Sequence, residues 1–177
     1  MRCPAVAVLV QMPAIRPPDR FNSVKAPFDL YWVRARDRLQ GWQQALAARG
    51  RHAPPVLSGD WSAASGYAAG RELARDSGLT AVFAAGDEMA IGLIRALLEA
   101  GRRVPEDVSV VGFDDMPVAA YMTPPLTTVR QPFEAAAREG LKLLVRAIED
   151  PRADLPPAAD PPIEVVVRAS SAPPTRR

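Results

Sequence analysis

Two short apolar runs end in acids. Gly86-Asp87-Glu88 follows residues 79–85, and Asp114-Asp115 follows residues 107–113. A carboxylate just beyond a buried strand can accept hydrogen bonds from ligand hydroxyl or amine groups, act as a general base or ligate magnesium. The same acid can instead cap its own turn. Asp87 opens a helical pattern, where an acid suits an N-cap beside the positive end of the helix dipole. Trp61 follows Gly59-Asp60 in a loop ahead of a helix. An indole there is either a core anchor or a platform for a ligand ring. Arg38 lies one helical turn before Trp42; Trp42 reads as core and Arg38, taken alone, as solvated.

Other chemistries are excluded. Gly86, Gly92, Gly101 and Gly112 lack the spacing of a dinucleotide fingerprint or a phosphate loop. Ser58, Ser62 and Ser65 lack a nucleophile elbow. The single histidine, His52, sits in a polar loop and offers neither a catalytic triad nor a histidine-rich metal site. The single cysteine, Cys3, excludes an internal disulfide and a cysteine metal cluster. No cofactor is expected. The net charge is +2. It is carried by residues 1–33, where Arg2, Arg16, Arg20 and Lys25 face Asp19 and Asp29. The remainder is neutral, and no basic stripe of the kind that grips nucleic acid is present.

The elements that must position these residues follow from 177 residues that are 48% hydrophobic and 24% charged, values of a globular chain. No apolar run reaches the roughly 18 residues of a membrane span. The N-terminus has a basic start and an apolar stretch, but Pro4 and Pro13 break it and no cleavage site follows, so export is not expected. AVAVLV (5–10) fits a buried strand, and 13–27 reads as loop or linker because Pro17-Pro18 excludes a helix interior. Helices are predicted over 34–50, with Gly50 as stop; over 62–78, with Ser62 as N-cap and Gly78 as stop; and over 87–100, ended by Gly101, with Ile91, Ile94, Leu97 and Leu98 inward. Strands are predicted at 79–85 and 107–113, and a short extended piece at 125–129. A further helix runs from Pro132, at its first position, to Asp150. Its apolar face is Phe133, Ala137, Leu141, Leu144 and Ile148. A last strand, 163–169, precedes a frayed tail. The alternation predicts an α/β fold with a mostly parallel sheet covered by helices, and in such sheets ligands bind beyond the carboxyl ends of the strands.

Five segments in order carry a resemblance: R-D-R-L-Q-G-W (36–42), A-V-F-A-A-G-D-E-M-A-I-G (81–92), V-P-E-D-V-S-V-V-G-F-D-D (104–115), P-P-L-T-T-V-R-Q-P (124–132) and V-V-V-R-A-S-S (165–171). Over 34–171 the chain resembles the C-terminal half of the lactose/galactose-repressor (LacI/GalR) family of transcription regulators. The resemblance implies a type I periplasmic-binding-protein-like, Rossmann-like lobe. Residues 34–129 would form most of one lobe, helix 132–150 would belong to the other, and 172–177 would be a tail. It also implies a sugar-like or nucleobase effector bound in a cleft, with no catalytic or metal-binding residues. Arg38 matches an arginine that binds effector hydroxyl or carboxylate groups. Trp61 matches a stacking aromatic and Asp114 a hydrogen-bonding acid, while Gln131 and Phe133 lie at the crossover lining the cleft. Gly86 stands where the family often has asparagine. A cytoplasmic homodimer is implied, self-associating through helices 62–77 and 89–100 and segment 116–123. Operator DNA would be reached only through an N-terminal helix-turn-helix that matches nothing here, so residues 1–33 are left unassigned and a truncated or frameshifted reading frame is expected. The alternatives are a sugar-binding protein of a transport system, which shares the fold, and an enzyme using Asp87, Asp114 or Asp115 with Arg38.

Overall fold

The computed structural model describes residues 5–11, 27–51, 56–154, 156 and 162–173. His52, Cys3, the proline-rich stretch before Ala26 and the tail beyond Pro173 lie outside them.

Six strands form one sheet in the order β2-β1-β3-β4-β5-β6. They are β1 (Ala5–Gln11), β2 (Val56–Gly59), β3 (Leu79–Ala84), β4 (Ser109–Asp114), β5 (Thr127–Arg130) and β6 (Glu164–Val166). The first five run parallel and β6 returns antiparallel beside β5. Four helices join them: α1 (Pro27–Ala47), α2 (Ala63–Leu73), α3 (Asp87–Glu99) and α4 (Phe133–Glu149). The chain leaves β1 for β2 on one side and then crosses to β3 on the other. Right-handed crossovers therefore put α1 on the face opposite α2 and α3, and a crevice opens where the direction reverses.

The core lies under α3. Leu79, Val82, Ala84 and Val110 from the sheet, with Leu126 just before β5, meet Met89, Leu93, Ile94 and Leu97, all 2% exposed or less. The buried face of α3 is thus rotated from the expected one: Met89, Leu93 and Ala96 join Ile94 and Leu97, while Leu98 is 45% exposed. Helices α2 and α3 touch backbone to backbone. A Cβ on Gly92 would stand 1.8 Å from the Ala63 carbonyl oxygen, and one on Gly66 2.0 Å from that of Met89.

Other expectations are corrected. Helix α1 starts at Pro27 rather than at 34, since proline suits a first helical position, where no N–H partner is needed. Strand β2 lies in a stretch without alternation and was not expected. Helix α2 ends at Leu73, and Gly78 belongs to the following turn, where its N–H donates to Asp76 Oδ1 at 2.8 Å. Gly50 and Gly101 do follow their helices in the left-handed region, at φ +64° and +77°. Pro132 caps α4 from outside rather than opening it.

No residue of α4 is buried, and Phe133, Leu141, Leu144 and Ile148 are 56–70% exposed. Ser170 is fully buried between β4 and β5. Its hydroxyl donates to the Val110 carbonyl at 2.6 Å and accepts the Thr127 N–H at 2.7 Å, and its backbone bonds Val110 and Pro125. Among the described residues no helix is long and apolar enough to cross a membrane.

Candidate functional site

The carboxyl ends of β2, β3, β4 and β5 share one edge; Asp114 ends β4 there, and the loops leaving β2, β3 and β5 carry Trp61, Gly86 and Gln131. Helix α1 delivers Arg38 to the same edge. Ser62 and Ser65 anchor the Trp61 loop. Ser62 Oγ caps α2 by accepting the Ser65 N–H and donates to Asp60 Oδ1, while the Asp60 N–H donates to Ser65 Oγ.

Arg38 is the hub. One guanidinium nitrogen donates to the Ala85 carbonyl at 2.7 Å, and the other lies 3.9 Å from Asp114 Oδ1. The guanidinium sits 3.9 Å from the centre of the Phe113 ring and 5.3 Å from that of Trp61, both within cation–π range. Gln131 Nε2 donates to Asp114 Oδ1. Burial pushes the Asp114 carboxyl above its ordinary value, against the lowering effect of Gln131 and Arg38.

The three non-glycine residues with positive φ among those described are Trp61 (72°), Asp114 (114°) and Asp115 (55°), and all lie here. Left-handed backbone costs L-residues of order 1–3 kcal/mol each and persists where surrounding contacts over-determine it. Such strain concentrated at one sheet edge is the mark of a site built to present side chains.

Gly86 separates Trp61 from Asp114. A Cβ there would lie 3.1 Å from the indole and 3.6 Å from Asp114 Oδ2, so its bare Cα keeps the space between them open. Phe133 stands apart from the Arg38 cluster. It is 59% exposed and lines, with Asp114, Asp115, Arg130, Gln131 and Arg138, a hollow of about 500 Å³ at the start of α4.

Asp87 corrects another expectation. Gly86, not Asp87, is the N-cap of α3, and it makes no side-chain cap. The Asp87 carboxylate is fully buried and accepts bonds from beyond its own helix, from the Met116 N–H at 2.7 Å and the Thr128 hydroxyl at 2.6 Å. Burial raises its pKa. Asp115 points the other way, accepting Arg130 Nε at 2.6 Å and Arg168 Nη2 at 2.7 Å. Burial acts to raise its carboxyl too, but these two cations outweigh it and hold the group below the ordinary range. Phe113 and Arg168 were not singled out in the sequence. Phe113 reads there as strand core, and nothing in its spacing marks it as the floor under a cation.

The site donates and accepts hydrogen bonds and offers an indole. Among the described residues no three His, Cys, Asp or Glu side chains group as metal ligands.

Residues 32–171 match the family described as a periplasmic binding protein-like domain. The transcriptional regulator CelR of Thermobifida fusca is 46% identical over 132 residues, 73% of this chain and 38% of that protein. Among solved structures, a dimeric Lac repressor with an 11-residue C-terminal deletion superposes with a TM-score of 0.77 at 29% identity, covering 96% of this chain and 56% of that one. A complex of CelR with cellobiose gives 0.75 at 37% identity, covering 94% and 46%. The chain spans about two fifths of the length of the curated relatives it matches. Those relatives are named as transcriptional regulators and repressors, not enzymes, and a transport-system binding protein is not favoured. From these matches and the sheet edge at which Arg38, Trp61 and Asp114 meet, the chain belongs to the periplasmic-binding-protein-like family, in the form that makes up the effector-binding portion of LacI-type transcriptional regulators.

Proposed function

We propose that this chain is the sensing portion of a cytoplasmic, dimeric transcription regulator that reaches operator DNA through a separate DNA-binding element. Its effector is a small hydroxylated ligand of the sugar class, received by Arg38, Trp61, Asp114, Gln131 and Phe133. Residues 34–129 supply one wall of the cleft, and α4 supplies part of the other. The observation that carries this reading is the convergence of Arg38, Asp114 and Gln131 beside the Trp61 ring at the carboxyl edge of the sheet. A carboxylate held against a guanidinium and an amide, next to an indole, is the usual chemistry for adjacent hydroxyls on a ring with one apolar face. The cellobiose complex of CelR supports a sugar as the ligand class.

The 177-residue chain presents one wall and only part of the other, so its affinity should be modest. A millimolar dissociation constant corresponds to about 4 kcal/mol. The test is an NMR titration with cellobiose, ribose and a purine base. Saturable shifts at Trp61 and Gly86 with one sugar, lost in Asp114→Ala and Trp61→Ala, are the expected result. Shifts elsewhere, or variants that bind like the parent, would overturn the reading.

A further inference from the structure

We infer that Asp87 is a positioning residue for Asp114: buried and out of reach of any ligand, it holds the Asp114–Met116 turn in the shape that aims the Asp114 carboxylate at the site. The inference rests on the sugar-site reading above. Asp87 is the one buried acid among the described residues. Both its oxygens are spent on the loop beyond β4 and on the neighbouring strand, and neither caps α3.

The bonds close into a ring. The Met116 N–H donates to Asp87 Oδ2, and the Thr128 hydroxyl donates to Asp87 Oδ1. The same Thr128 oxygen accepts the Asp115 N–H at 3.4 Å. The turn is therefore gripped at two successive amides, each directly after a positive-φ residue. The sequence makes room for the carboxylate: a Cβ on Gly112, at the mouth of the turn, would lie 2.3 Å from Asp87 Oδ1. Asp87 cannot be there to complement Asp114 electrostatically, since the two acids repel. Its value lies in anchoring the Met116 amide directly and the Asp115 amide through Thr128. Without these anchors non-glycine residues return to negative φ, where Asp114 no longer meets Arg38 and Gln131.

The experiment uses the full 177-residue chain, isotope-labelled, with cellobiose as the probe. Asp87→Ala should shift the amide–Hα couplings of Asp114 and Asp115 toward negative φ and speed exchange of the Met116 amide. It should also weaken cellobiose binding about tenfold, as when the competent turn falls to about a tenth of the population. In an Asp114→Asn background the same change should bring no further loss. Asp87→Asn, whose amide can still accept from Met116 and donate to Thr128, should recover most of the affinity. If Asp87→Ala does not fold, Thr128→Val removes one anchor and should show the same shifts in smaller measure. Unchanged couplings in these variants, or an affinity loss that is equal in both Asp114 backgrounds, would overturn the assignment. If Asp114→Asn alone leaves cellobiose binding intact, it is the sugar-site reading that falls, and the couplings still decide whether Asp87 holds the turn.

Discussion

Replacing Gly92 with alanine should destabilise the chain although alanine is the better helix former. The new Cβ would stand 1.8 Å from the Ala63 carbonyl oxygen and 2.7 Å from the Tyr67 nitrogen. Both obstacles are backbone, so no side chain can swing aside. To reach ordinary contact at 3.4 Å the helices must part by about 1.6 Å along that direction. Overpacking of this kind costs about 1–3 kcal/mol, and rigid obstacles place Gly92→Ala at the upper end. Helix propensity returns about 1 kcal/mol. A net loss of about 2 kcal/mol shifts a urea midpoint down by roughly 1 M at a slope near 2 kcal/mol/M. Gly140→Ala is the control. It lies mid-helix in exposed α4, its Cβ would meet nothing within 4 Å, and propensity alone should raise stability by about 0.5–1 kcal/mol. Parallel urea titrations decide the matter. Midpoints moving in the same direction, or an unmoved Gly92→Ala, would refute the argument. Gly92→Ala should also weaken cellobiose binding, because α2 follows Trp61 and α3 follows Gly86.

Asp114→Asn should abolish the pH dependence of sugar binding. In the parent, affinity should rise as the carboxyl ionises, at a pH above the ordinary aspartate value, and NMR titrations across the acid range measure it. The stability effect has the opposite sign. A carboxyl whose folded pKa is raised binds more protons in the folded state, so the parent loses stability as pH rises through that window, and the advantage of Asp114→Asn in urea midpoint should grow with it. Gly86→Leu should fill the space between the Trp61 ring and Asp114 and remove cellobiose binding, with intact circular dichroism as the check on folding. Leu141→Glu combined with Ile148→Glu should leave the unfolding free energy from urea titration within about 0.5 kcal/mol of the parent, since both side chains are exposed, and should reduce self-association by sedimentation.

The parallel sheet was legible because β3 and β4 are continuous apolar runs, and because Gly50 and Gly101 stand where their helices end. Strand β2 was not legible. Its four residues, V-L-S-G, are too few and too irregular to show a period, and its place beside β1 is fixed by pairing with residues about fifty positions away. The start of α1 was hidden because the proline that opens it reads as a loop marker. At the site, residue types alone left Asp114 and Arg38 open, and the family resemblance named them. What no reading of the sequence supplied was the joinery: Phe113 beneath the Arg38 guanidinium, and Asp87 reaching Met116 and Thr128 across 29 and 41 positions. Such contacts depend on the crossover order of the strands, which spacing does not encode.

The buried Ser170 bears on how the molecule comes into being. Chains leave the ribosome from the N-terminus at roughly 5–20 residues per second, and domains tend to fold as they emerge. Ser170 ties Val110, Pro125 and Thr127 together, and all three are synthesised well before it. The amino ends of β4 and β5, opposite the edge that carries Asp114 and Gln131, therefore stay unfastened during synthesis, with the amides of Val110 and Thr127 lacking their final acceptors, until the clasp arrives. A nascent chain halted before Ser170 would hold Arg38, Trp61 and Asp114 on a sheet whose β4 and β5 are still unfastened at their far end. The join between β4 and β5 would be complete only once residue 170 had been made.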